Sequence, residues 1–150
     1  MQVAVSGWAI SRGQAILGIA GGVALILSAA AHSLMGWPVM RTQLESTHAP
    51  ADLIRGLGVG WHFGGVAMVA FGVIVLHLFA KCLRGERPSL MPVTIIAVAY
   101  IAFGAWALFI SRFELFFLFV FVVPGLVLAS ASRLPSRPGE IDPADGRLSD

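Results

Sequence analysis

Two histidines carry most of the chemistry this sequence could perform. His32 stands near the end of the apolar run AILGIAGGVALILSAAAHSLMGW, residues 15–37. His62 stands in the glycine-rich stretch GLGVGWHFGG, residues 56–65, at the head of the next apolar run. Ionisable side chains are costly in a lipid core and are functional candidates there by default. Imidazole is the cheapest of them because it can stay neutral, but it still needs hydrogen-bond partners. One helical turn either side of His62, Gly58 and Gly65 have no side chain, which leaves room for something flat beside the ring. Ser28, Ala29, Met35 and Gly36 give His32 a similar setting.

Three uses of this pair compete. Each imidazole could bond a nearby hydroxyl such as Ser28 or Ser33, a backbone carbonyl or water, and tie helices together. Alternatively, His32 and His62 could be the two axial ligands of one haem b, with Gly58 and Gly65 clearing space for the porphyrin. As a third use, they could hold a metal ion or form part of a proton or quinone site. Two ligands fall short of a closed zinc site, so Glu114 or His48 would have to complete it. Glu114 has a plainer reading as an exposed carboxylate near a helix N-terminus. His77 belongs at the opposite headgroup level, too far from His62 to share a site, and His48 belongs in a solvated loop. Cys82 excludes an internal disulfide and reads as a passive thiol in preference to an acylation site.

Glycine spacing suggests how the helices meet. Gly18 and Gly22 recur at four residues in the first run, and Gly56, Gly60 and Gly64 in the second. Small residues at this interval let membrane helices approach closely, or let a chain pack on a copy of itself.

The elements that must position these residues are membrane helices. The chain of 150 residues is 57% hydrophobic and 12% charged, well away from a soluble composition. Its mean hydropathy is +0.85. Four runs are long enough to cross a bilayer: 15–37, 52–80, 90–110 and 113–131. The first should end before Pro38, and Pro124 should kink the fourth. Residues 38–51 read as an outer loop touching the membrane through Val39, Met40 and Leu44. Ser111 and Arg112 leave only a tight turn between the last two runs. Continuous apolar runs of this length do not suit barrel strands.

The expected fold is therefore all-α: an integral membrane four-helix bundle of two antiparallel hairpins over residues 1–132. Residues 133–150 form a proline-rich, disordered cytoplasmic tail. The N-terminus lacks the basic region of a signal peptide and reads as a lead-in to the first span. Arg12, Lys81, Arg84, Arg87, Arg133 and Arg137 outnumber Arg41, Arg55 and Arg112 across the membrane, which places both termini in the cytoplasm. Trp37, Trp61 and Trp106 anchor one boundary and Trp8 the other, although Trp61 lies deeper than an anchor should.

No phosphate loop, HExxH helix, GxSxG elbow or dinucleotide fingerprint occurs, and no basic stripe suggests nucleic acid. The sequence broadly resembles the small four-span proteins of bacterial inner membranes. The residues favour a non-enzymatic accessory or helix-packing component over an enzyme. Its partners would be the lipid bilayer and either a second copy or a larger membrane complex. A bis-histidine electron-transfer protein and an oligomeric transporter or proton-coupled pore are the alternatives.

Overall fold

The computed structural model describes residues 10–133, and all regular structure among them is helical. Arg12–Ala31 forms α1, a π-turn spans His32–Gly36, and Trp37–Ser46 forms α2. Together they make one continuous helix of 35 residues. The second helix, α3, is Ala51–Leu83, and the third, α4, is Met91–Ile110. A fourth is built from α5 (Leu115–Phe117), a π-turn (Leu118–Val122) and α6 (Val123–Ala131). The first three are long and apolar enough to cross a membrane, while the fourth is apolar but shorter. The tail beyond Arg133 and the Trp8 anchor lie outside the described residues.

Local chemistry sets the ends. Ser11 caps α1: its hydroxyl accepts from the Gln14 backbone N–H at 3.1 Å, and Gln14 Oε1 accepts from the Ser11 N–H at 2.8 Å. Gln14 also donates to the Arg133 carbonyl at 2.9 Å, pinning the start of α1 to the end of α6. Pro50 is the N-cap of α3, and Asp52 stands in its first turn at the positive end of the helix dipole. The turn after α4 places Arg112 (φ 58°) and Phe113 (φ 68°) in the left-handed region, a strained pair for non-glycine residues. It is closed by the Phe113 N–H donating to the Leu108 carbonyl at 2.7 Å.

The helix does not stop before Pro38, as the sequence suggests it should. A proline ring collides with the carbonyl four residues earlier and supplies no N–H. Here a π-turn opens just ahead of it, so the Trp37 N–H reaches back five residues to the His32 carbonyl. Widening the turn relieves the collision without ending the helix. Pro124 is handled the same way: the Val123 N–H donates to the Leu118 carbonyl. Residues 37–46 are consequently helix, not loop.

Core packing follows alternating steps of three and four. On α1 the buried residues are Ala15, Gly18, Gly22, Leu25 and Ala29, joined by Gly21. On α3 they are Gly58, Gly65, Met68, Gly72, Val75 and Phe79, with half-buried Trp61 completing the series. This is the seam of helices crossing at a shallow angle over a long contact. Contacts run in opposite order along the pair: Gly18 against Phe79, Gly22 against Leu76, Gly65 against Ser33, and Gly58 against Trp37. The fourth helix packs on α4 through Gly104 against Phe121 and Gly125 against Ile101, and on α1 through Leu128 against Gly21. By contrast, α3 and α4 touch sparsely, with Phe71 edge-on to Tyr100 among the contacts.

Within the chain the glycine stripe meets α1 only in part. Gly18 and Gly22 do pack against α3, but Gly56 and Gly60 have no atom of another element near them, and Gly64 meets only His32 Nε2 at 3.5 Å. The faces in contact are those of Gly58, Gly65 and Gly72. A Cβ on Gly72 would lie 2.9 Å from the Gly22 carbonyl oxygen.

Tyr100 is 6% exposed, and its hydroxyl has no hydrogen-bond partner. A buried unpaired hydroxyl costs about 1–3 kcal/mol, so Tyr100→Phe should raise stability by about 1 kcal/mol in a detergent unfolding titration. A loss of that size would reveal a partner for the oxygen.

Candidate functional site

Four rings from two helices meet where the first π-turn faces α3. His32 and Trp61 stack with centroids 4.4 Å apart and planes 2° from parallel. Trp37 lies 6.1 Å from Trp61 and 6.0 Å from His62. In order of contact the rings run His32, Trp61, Trp37, His62, so the two imidazoles are linked through the two indoles.

His32 and Trp61 also exchange hydrogen bonds. The Trp61 indole N–H donates to the His32 carbonyl at 2.8 Å, and His32 Nε2 lies 3.1 Å from the Trp61 carbonyl oxygen. A carbonyl can only accept, so Nε2 carries the proton in this bond. The local fold explains the first contact. In the π-turn the His32 carbonyl accepts from Trp37 instead of residue 36, and the opened turn admits the indole as a second donor. Each side chain thus clasps the other's backbone.

The space beside the imidazoles is filled. Gly58 is buried against the Trp37 indole, whose Cζ2 would lie 2.7 Å from an added Cβ, and Gly65 is buried against the Ser33 hydroxyl. These glycines receive a protein side chain where the sequence suggested a cofactor plane. His32 Nε2 is bonded to the Trp61 carbonyl, the ring's face lies on the Trp61 indole, and the glycine spaces are filled, so as placed the pair does not fit a bis-histidine haem. Glu114 is exposed; its backbone N–H donates to the Ser111 hydroxyl at 3.3 Å. Among the described residues no group of three or more His, Cys, Asp or Glu side chains comes together as a metal site.

His62 instead lines an open groove of ≈ 770 Å³ between α2 and the first turns of α3. Trp37, Ile54 and Val59 give it apolar walls, and Arg41, Arg55 and Glu45 give it charge. Arg41 pairs with Glu45 at 2.8 Å, and Arg55 pairs with Asp52. A second groove of ≈ 520 Å³ lies at the other end, lined by Cys82, Glu86, Arg87, Leu90, Thr94 and Ser132. There Glu86 bridges Lys81 at 3.3 Å and Arg84 at 3.1 Å. Desolvation pushes the Glu86 carboxyl up, but hydrogen bonds from Arg84 and Lys81 outweigh it and hold it below the usual carboxylate range. His77 and His48 are exposed and belong to neither groove.

Sequence reasoning found the two histidines but missed their indole partners and the arginines of the groove. The signal was present in Trp61, which sits too far into the apolar run for a boundary anchor and directly precedes His62. Compared with family models, curated proteins and solved structures, the chain matches none.

Proposed function

We propose that the chain is a small polytopic inner-membrane protein, a four-helix bundle of two antiparallel hairpins with both termini cytoplasmic. It acts as a non-enzymatic accessory component that packs against lipid and a membrane partner. One observation carries this reading: the surface left outside the core is apolar along the helices. Leu27, Val66, Val73, Ile95, Val98 and Phe109 are all more than half exposed. Water would penalise such a surface, whereas acyl chains accept it.

The shorter fourth helix supports a fourth crossing because it packs antiparallel along about half of α4. Its contacts run from Ser132 near Thr94 at 3.4 Å to Phe121 against Phe103 at 4.9 Å. The His32–Trp61 clasp serves as the polar tie that fixes the first hairpin near the outer boundary.

Alkaline carbonate should leave the protein in the membrane pellet, and detergent should release it. In a Cys82→Ser background, Thr47→Cys should react with a membrane-impermeant maleimide in intact cells. Arg84→Cys should react only after the membrane is opened. Release by carbonate alone would sink the membrane reading, and the reverse labelling pattern would sink the orientation.

A further inference from the structure

The groove of His62 lies where a bilayer has its headgroups. The 20 residues of α1 rise about 30 Å, the thickness of a hydrocarbon core, so a core that begins at Arg12 ends near His32. Trp61 lies at a similar height, about 33 Å along α3 from Leu83. Beyond that level α2 and the first turns of α3 continue as a two-helix projection, and Arg41 and Arg55 face the groove between them.

The groove's chemistry changes with depth. Its outer end holds Arg41 and Arg55, and His62 lies deeper along α3; Glu45 also lines the groove and Asp52 stands beside Arg55. Both arginines are paired, but through exposed contacts between near neighbours in sequence, which are weak and exchange partners readily. Guanidinium groups favour phosphate oxygens, which they grip with two donors at once. Val59, on the groove wall, is followed at seven-residue intervals by Val66 and Val73, the three being 74%, 66% and 53% exposed. Residues seven apart share a helix face, so this apolar track leads from the groove into the membrane.

We infer that the groove binds a membrane lipid with an anionic phosphodiester headgroup. Arg41 and Arg55 take the phosphate, Val59 and His62 flank the glycerol, and an acyl chain follows Val66 and Val73. This site names the ligand of the outer layer and rests on the membrane reading above. The valine track distinguishes it from a site for a soluble anion, which would have no use for an apolar continuation.

Native mass spectrometry of the intact protein, released from detergent and titrated with phosphatidylglycerol, phosphatidylcholine or glycerol 3-phosphate, tests the site. Phosphatidylglycerol should bind at least about fivefold more tightly than phosphatidylcholine, a difference of about 1 kcal/mol by the usual conversion. Arg41→Gln/Arg55→Gln should erase the preference while leaving the helical circular dichroism unchanged. Arg41→Lys/Arg55→Lys should restore part of it, and Arg84→Gln/Arg87→Gln at the other end should leave it intact. Equal binding of the two lipids, a preference that survives Arg41→Gln/Arg55→Gln, or loss of preference in Arg84→Gln/Arg87→Gln would overturn the inference. Glycerol 3-phosphate binding as tightly as phosphatidylglycerol would make this a soluble-anion site instead. A carbonate-resistant protein without lipid preference fails only here, whereas one extracted by carbonate fails the membrane reading first.

Discussion

Trp61→Ala should destabilise the protein by about 3 kcal/mol or more in a reversible unfolding titration in mixed micelles. Removing a large aromatic side chain from a packed position costs about 3–5 kcal/mol, and Trp61 is half-buried, which lowers that figure. Two further losses raise it again. The His32 carbonyl loses the indole donor, and the imidazole loses the ring it lies flat against at 4.4 Å. Trp61→Phe keeps an aromatic face but not the N–H, so it should cost only about 1–2 kcal/mol. His32→Ala should cost a similar amount. Because the two rings stack, His32→Ala combined with Trp61→Ala should cost less than the sum of the single changes. Simple additivity would show that the stack contributes nothing of its own, since each hydrogen bond ends on a backbone carbonyl that neither substitution removes.

Gly72→Ala and Gly60→Ala should have opposite signs, although both replace a glycine within α3 by the best helix former. At position 72 the new methyl meets Ile26 and the Gly22 carbonyl, and a backbone atom cannot rotate away. Overpacking of this kind costs about 1–3 kcal/mol, and here it forces α1 and α3 apart. At position 60 nothing lies within 4 Å. The protein should then keep its stability or gain up to about 1 kcal/mol from the lower backbone freedom of alanine. The same titration measures both. A destabilising Gly60→Ala would mean that the open face of Gly56 and Gly60 is covered by another chain.

This contrast also marks how far the sequence could be read. All-helical architecture and the positions of the apolar runs followed directly from composition and run length. Packing faces did not. A four-residue interval turns about 40° around an α-helix at each step, so Gly56, Gly60 and Gly64 cannot all stay on one seam through a long shallow contact. Gly58, Gly65 and Gly72 recur every seven residues and can. The capping box of α1 is legible as Ser11–Arg12–Gly13–Gln14, but the apolar run proper begins only at Ala15. Pro38 misled because a proline reads locally as a stop. The π-turn that carries the helix through it depends on partners across the helix pair, Trp61 above all. The histidines were visible as residues that could do chemistry, but the indoles that link them come together only by folding.

The sparse join between α3 and α4 decides how this molecule can deform. Its first helix is held on one side by α3 and on the other by α6, and Gln14 latches it to the Arg133 carbonyl. Few contacts resist separation on the far side. A separation of the two halves would therefore hinge along α1 and α6 and open between α3 and α4, where Phe71 meets Tyr100.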